Sequence, residues 1–511
     1  MYKYEQKINK QIYVYEITSY WDKVKKQPRQ YRKYIGKKNP DTGEIIKTSH
    51  SRQPVNSSNY GNVFFLDKIA QRLGLTDILK KAFEDIWEEI LTMAFFQVSE
   101  KSALYLCEYW LGVTHNIYQT ELSSQKISEL LDLIGHRFDD ILEFSKEWIK
   151  QLDNKEYLFF DLTSFSSYSK NISITEWGHN RDKEKLPQIN FGLVYGLKSN
   201  LPVFYNTYPG SINDVLTINN LLKYCDYLDL KNITLILDKG FYSQYNLNEF
   251  SKNQTNFIIS APFTSKSIEN LINKHEKNLN LLKNSFKLKN KIMYGIKDTA
   301  QIGDEIYHAY IYLDEKRKVD EVENFISLLI EYEEKVKEKK ILKKEILEDF
   351  LNNNFAQWKR YFKIINENEY CILERIEENI NETISRKGKI VILSNKELPI
   401  SDILNLYREK DKIEKCYDNI KNELDGKRIK IHNDYTLKGK LFLNFISVIL
   451  YSEIDRIMKD KKLYKNDSIQ TILQELKKID YIKFNNDKYI LTEISKKQKD
   501  IFKAFDIDLP T

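Results

Sequence analysis

Apolar and polar residues alternate with period two through "QIYVYEITSYWDKVKKQPRQYRKYIGK", which predicts a basic β-hairpin turning near Pro28. The turn-rich stretches "NPDTGE" and "SHSRQPVNSSNYG" follow as a linker and complete a first unit, residues 1–60. Over 61–152 the period becomes helical in "VFFLDKIAQRLGL", "IWEEILTMAFFQVSE", "SSQKISELLDLI" and "FDDILEFSKEWIKQL", with Ser123 or Ser124 as N-cap of the third. At Tyr157 the pattern changes again. "YLFFDLTS", "INFGLVYGL", "LPVFYNTYPG", "ITLILD" and "NFIISA" read as strands, and "INDVLTINNLLKYCDYL" and "SQYNLNEFSK" as helices. The order β-β-β-α-β-α-β over 153–262 predicts a mixed sheet with helices on its faces.

Residues 263–394 read as an insertion. It holds the strand "YHAYIYLD", a charged helical run from Val319 to Asn352, and the strands "YFKII", "YCILERI" and "KIVIL". A strongly helical stretch, "ISDILNLYREKDKIEKCYDNIKNEL", opens the segment 395–457. The tail, 458–511, carries a hairpin signal in "YIKFNNDKYILTEI" and a last helix, "KKQKDIFKAF".

At 511 residues the chain is long enough for about three domains of roughly 100–200 residues, or for one core with large insertions. Cys107, Cys225, Cys371 and Cys416 are too scattered for a zinc knuckle or a disulfide framework, which fits a reducing cytoplasm. No signal core follows Met1. The longest apolar run, Leu441 to Tyr451, is about half of what a bilayer span needs, so no membrane partner is expected. The net charge of +6 is unevenly spread. Residues 1–60 hold 13 Lys/Arg against 5 Asp/Glu, whereas residues 61–150 hold 9 against 15. The arm therefore suits a polyanion, with Lys25, Lys26, Arg29, Arg32 and Lys33 as its candidate DNA contacts; a solvated basic hairpin is the plain alternative.

Two apolar strands are followed by acids: Asp161 closes "YLFFD" and Asp238 closes "ITLILD". An aspartate at a strand end ordinarily caps a turn. Two in one sheet suggest more, because ligands gather beyond the carboxyl ends of such strands and a buried, unpaired carboxylate is costly. A bound divalent cation would account for both.

A third acid is available in the helical stretch. Steps of three, four and seven residues bring Tyr407, Lys410, Glu414 and Lys421 within about 60° on one helical stripe. Leu406, Ile413, Tyr417, Ile420 and Leu424 make an adjacent apolar stripe. Packing that stripe on the sheet would aim Glu414 at the strand ends; the ordinary alternative is an amphipathic helix with i,i+4 ion pairs. Three acids on separate elements suit two-metal phosphodiester chemistry with two Mg²⁺ ions per site, Mn²⁺ serving as substitute.

The chain resembles the DDE-class insertion-sequence transposases of bacteria, in the branch whose helix carries Y-x2-R-x3-E-x6-K. That signature reads here Tyr407, Lys410, Glu414 and Lys421, with Lys in place of Arg, and Asp161 in "FFDLTSF" and Asp238 in "LDKGFYS" look like the first two acids. The likeness extends to "YWDKVKKQPRQYRKYIGKKNPDTGE", "LSSQKISELL", "GHNRDKEKLPQINFGLVYG" and "KKQKDIFKAFDIDLP". It implies an α/β fold: a ribonuclease-H-like mixed-sheet catalytic core interrupted by a largely β insertion, preceded by the basic arm and helical domain. It implies a cytoplasmic, nucleoid-associated enzyme that pairs inverted-repeat DNA ends as a homodimer, cleaves them and joins the 3′-hydroxyl to target DNA. Tyr407, Lys410 and Lys421 are expected to grip the DNA backbone, joined by Lys239 and Arg181. Trp358, the only Trp of the insertion, is expected either to stack on an extruded base or to pack in the insertion's own core.

Three other readings share these residues. A transposase-derived DNA-binding protein would lack catalysis, a helical scaffold would lack metal dependence, and a hydrolytic nuclease would lack strand transfer.

Overall fold

The computed structural model describes residues 2–8, 11–22, 26–40, 42–46, 54–152, 156–182, 184–355, 357–367, 370–423, 428–429, 431–484 and 489–511. The N-terminal alternation becomes a four-stranded antiparallel sheet of β1 (Tyr2–Ile8), β2 (Gln11–Asp22), β3 (Gln27–Lys38) and β4 (Ile45–Ile46). Val14 and Ile17 are buried, while Tyr20, Trp21 and Tyr31 stay exposed beside the basic residues of β3. β5 (Pro54–Asn59) leaves this sheet and pairs near the C-terminus.

The helices from Gly61 to Gln151 do not close a core of their own. The Asp434–Asp460 helix, nearly all buried through its middle, runs among them and shares their single hydrophobic cluster. Its closest approach is to the Ser124–His136 helix, whose first turn is capped by Ser123. A Cβ on Gly439 would lie 1.9 Å from Leu131 O, and one on Gly135 would lie 1.8 Å from Tyr435 O, so glycine is what lets the two backbones touch. No described helix is long and apolar enough to cross a membrane.

The expected strand order from Tyr157 to Ser260 is found: β6 (Tyr157–Ser167), β7 (Gln188–Gly196), β8 (Pro202–Pro209), the Asp214–Tyr227 helix, β9 (Thr234–Leu237), the Gln244–Lys252 helix and β10 (Asn256–Ser260). The sheet is larger than these five strands. β11 (Ser285–Leu288), β12 (Lys291–Ile302), β13 (Glu305–Leu313) and β16 (Lys389–Ser394) continue it beyond β10, in the order β11-β12-β13-β16-β10-β9-β6-β7-β8.

This changes the expected insertion. The strands at both ends of 263–394 belong to the main sheet, because β16 pairs antiparallel with both β10 and β13 and its residues are buried on both sides. Among the described residues, what protrudes between β13 and β16 is mostly helical, led by Glu315–Lys339 and Lys344–Asn354, with only the hairpin β14 (Phe362–Glu367) and β15 (Tyr370–Arg375) as strands. It has a separate small core. Trp358 belongs to that core, 4% exposed with its indole N–H donating to Asn352 Oδ1 at 3.0 Å, so packing and not base stacking is its place in this structure.

The chain returns to the core through helices at Ile400–Arg408 and Asp411–Asp418 and a π-turn at Asn419–Glu423. The short β17 (Arg428–Ile429) then pairs parallel with the end of β6. β18 (Asp480–Phe484) pairs with both β5 and β19 (Tyr489–Leu491), and the chain ends in the Lys496–Ala504 helix with a Ser495–Gln498 capping box.

Candidate active site

β6 is central, and its two edges differ. One edge pairs with β7 from Leu158 to Ser166. Among the described residues, the other pairs with β9 only over Tyr157–Phe159, and with β17 only at Ser166 and Ser167. Asp161 thus lies within β6 and not at its end, but just past the point where its parallel neighbour stops. Continuing the β6–β9 register by two residues puts Asp238, the residue after β9, level with Asp161. The two acids expected at strand ends are brought side by side by that register.

The helical segment 400–423 closes over the opening, docked at two tyrosines. The Tyr407 hydroxyl donates to Asp238 Oδ1 at 2.7 Å. The Tyr417 hydroxyl donates to the backbone carbonyl of Asp161 and accepts from Leu193 N–H at 3.1 Å. Ile413, Tyr417 and Ile420 are buried, as the apolar stripe predicted, while Leu424 lies outside the described residues.

The single straight stripe does not hold. Bonds from Lys410 N–H to Tyr407 O, Lys412 N–H to Glu409 O and Ile413 N–H to Lys410 O tighten the chain between the two helices, and the π-turn loosens it before Lys421. Tyr407, Lys410 and Glu414 still fall together. Lys410 Nζ lies 3.5 Å from Asp238 Oδ2 and 3.5 Å from Glu414 Oε1. Lys421 is carried elsewhere: its side chain is 10% exposed and holds both oxygens of Asp182, at 2.9 and 2.7 Å.

Arg181 likewise faces inward. Its guanidinium contacts Asp161 Oδ1 at 3.3 Å and Asp214 Oδ2 at 2.8 Å. Nothing in the sequence marks Asp214, since "IND" before a helix reads only as a capping sequence. Its carboxylate also lies against Gly240, where a Cβ would be 2.8 Å from Oδ2. A cleft of about 620 Å³ opens beside this pair, lined by His179, Asn190, Ser211 and Leu216 among others.

The charges are strongly coupled. Burial pushes the Asp161 carboxyl up to about 6 against the pull of Arg181, and the charges of Asp214 and Asp238 add to the rise. Burial also acts upward on Asp238, but the Tyr407 O–H, Lys410 and the Lys239 N–H outweigh it and hold that carboxyl below its ordinary value. Burial and Asp238 together push the Tyr407 hydroxyl far up, so it remains a donor. Among the described residues no three Asp, Glu, His or Cys side chains enclose a ready metal cage. Arg181 and Lys410 instead supply the positive charge between the carboxylates.

The remaining candidates lie further out. Lys239 is exposed on the turn after Asp238. Lys26, Arg29, Arg32 and Lys33 are exposed at or along β3, Arg32 over the Tyr4 ring at 5.6 Å, and Lys25 lies outside the described residues.

A cryo-EM structure of the piggyBac transposase synaptic complex with hairpin DNA is similar at TM-score 0.33 and 8% identity, covering 81% of this chain and 70% of that one. Curated protein sequences give no match. The family described as "Transposase DDE domain" matches residues 155–450, a span that includes Asp161, Asp238 and Glu414. The match takes in more than half of the sequence, and the chain belongs to the Transposase DDE domain family.

Proposed function

We propose that this chain is a transposase that binds the inverted-repeat ends of an insertion sequence, cleaves the DNA there, and joins the freed 3′-hydroxyl to target DNA. The observation that carries the reading is the β6–β9 register, which aligns Asp161 with Asp238 inside the family match. DDE transposases generally use divalent metals. An all-carboxylate donor set suits a hard cation, and the β6–β9 register brings two of those carboxylates level with each other, so the residues present fit one. Asp161, Asp238 and Glu414 would hold it, with Mg²⁺ as the ion, two per site, and Mn²⁺ as substitute. The chemistry such an ion would supply there is activation of the attacking oxygen and stabilisation of the leaving one in an in-line displacement.

The chain's own residues do the rest. Tyr407 fixes one oxygen of Asp238 and leaves the other toward Lys410. Arg181 and Asp214 orient Asp161 from the opposite side. Lys410 neutralises Asp238 and Glu414, and a DNA backbone phosphate is its proposed partner in the complex. Lys239 and the cations of β3 contact DNA backbone, where such groups position a protein without reading sequence. Two copies synapse the two ends.

The test is incubation with DNA carrying the repeats that flank the gene, in Mg²⁺ or EDTA. Metal-dependent 3′-hydroxyl ends at the repeat boundary, joined to a target plasmid, support the proposal. Cleavage without joining indicates a hydrolytic nuclease, and binding without cleavage a transposase-derived DNA-binding protein.

A further inference from the structure

The connection from β6 to β7, which supplies Arg181, also carries two large aromatic side chains that face solvent. Trp177 is 68% exposed and Tyr168 is 65% exposed. An exposed indole is unusual, since tryptophan is highly buried on average. The backbone that presents Trp177 is nevertheless fixed on both sides.

On one side, Glu176 N–H donates to Gln188 O at 3.0 Å and Gln188 N–H returns to Glu176 O at 2.9 Å. The Glu176 carboxylate is itself held by the Ser211 N–H, at 3.3 Å, and by the Ser211 hydroxyl. On the other side, Gly178 passes so near Gly210 that a Cβ would lie 2.0 Å from its carbonyl oxygen. Four residues on, Arg181 is held by Asp161 and Asp214. At up to about 3.6 Å per residue, the Trp177 Cα lies within roughly 14 Å of the Arg181 Cα, a reach of a few nucleotides. Lys170, His179 and Lys185 of the same connection are exposed. A rigidly mounted, exposed ring in the connection that supplies Arg181 fits nucleic acid, because every base has a π-face and stacking tolerates any sequence.

We infer that Trp177 is a stacking platform for a nucleobase of the DNA next to the scissile phosphate, on the Asp161 side of the site. The inference rests on the transposase reading above. Inside intact duplex a base has both faces covered. The face that Trp177 can take becomes available at the terminal pair of a cut end, so the platform holds the end after the first cut more than before it.

The experiment compares two duplexes bearing the element's end, one intact and one already cut to a 3′-hydroxyl, with 2-aminopurine at the base beside the cut. Wild type, Trp177→Ala and Trp177→Phe are measured by anisotropy and by 2-aminopurine fluorescence. Trp177→Ala is expected to lose at least about fivefold in affinity for the cut end, the low end of base–aromatic stacking, and to lose its fluorescence quench. Its affinity for the intact duplex should stay within about twofold, and Trp177→Phe, which keeps a π-face, should fall between. Equal binding of the cut end by Trp177→Ala and wild type overturns the inference, as does an equal loss on both duplexes. A change confined to sedimentation of the DNA-free protein would make Trp177 a contact between copies and also overturn it. Failure of wild type to prefer either duplex over random DNA would defeat the transposase reading, and this inference with it.

Discussion

The Tyr407 hydroxyl and Asp238 Oδ1 are 2.7 Å apart, which joins the Ile400–Arg408 helix, the one leading into the helix that carries Glu414, to the strand end carrying the second aspartate. Tyr417, on the far side of Glu414, does the same for the backbone of Asp161. Glu414 is therefore flanked in the chain by two tyrosines, one bonded to Asp238 and the other to the backbone of Asp161. A tyrosine expected to grip DNA is, in this structure, occupied in orienting a carboxylate.

Tyr407→Phe keeps the ring and removes the donor. A hydrogen bond to a charged group is worth roughly 1.5–3 kcal/mol, so cleavage should fall about tenfold or more. Affinity for the DNA end should be unchanged. Weaker end binding with normal single-turnover cleavage would return the hydroxyl to the DNA backbone.

Arg181 and Asp214 are expected to act as one unit on Asp161. Arg181→Ala and Asp214→Asn should each slow cleavage, and the double variant should be little worse than Arg181→Ala alone, with a coupling of about 0.5–3 kcal/mol. Additive losses in single-turnover rates would mean that Asp214 serves something other than Arg181.

Lys421 is held by both oxygens of Asp182, one residue from Arg181, so it is placed to tether that loop to the end of the Glu414 helix. Lys421→Ala and Asp182→Asn should then slow cleavage alike while leaving the salt dependence of end binding intact. If Lys421 grips phosphate instead, its removal alone should lower the slope of log affinity against log salt by about 0.9.

The N-terminal sheet should bind phosphates of the DNA backbone. Removing residues 1–46, which leaves β5 paired with β18, is expected to reduce the same slope by about 0.9 for every phosphate the arm neutralises, measured by titration at several salt concentrations. An unchanged slope would leave the arm as a surface sheet or a docking element for another protein.

Much of this is legible in the chain. The apolar runs before Asp161 and Asp238 and the alternation of the arm are local patterns, and local patterns survive folding. What is not legible depends on partners distant in sequence. Asp161 reads as a strand end because "YLFFD" stops being uniformly apolar, but β7 carries the strand onward to Ser166. The strands from Ser285 to Leu313 look the same whether they close a separate domain or extend the sheet, and only the pairing of β13 with β16 and β16 with β10 decides it. Lys421 falls off the stripe because a π-turn leaves no mark in periodicity. Asp214 and Trp177 carry no motif, and their interest arises from Arg181 and from exposure.

The central claim is that Asp161, Asp238 and Glu414 together hold the metal for DNA cleavage, and its most direct test is cleavage by Asp161→Asn, Asp238→Asn and Glu414→Gln. Each is incubated with end-bearing DNA in Mg²⁺ and in Mn²⁺, with end binding measured in parallel. The account predicts that every variant binds the end within about threefold of wild type, since phosphate contacts dominate affinity, and cleaves at least about a thousandfold more slowly. Cleavage within about tenfold of wild type by any one variant that still binds DNA would contradict it, because removal of a metal ligand cannot leave metal-dependent chemistry nearly intact.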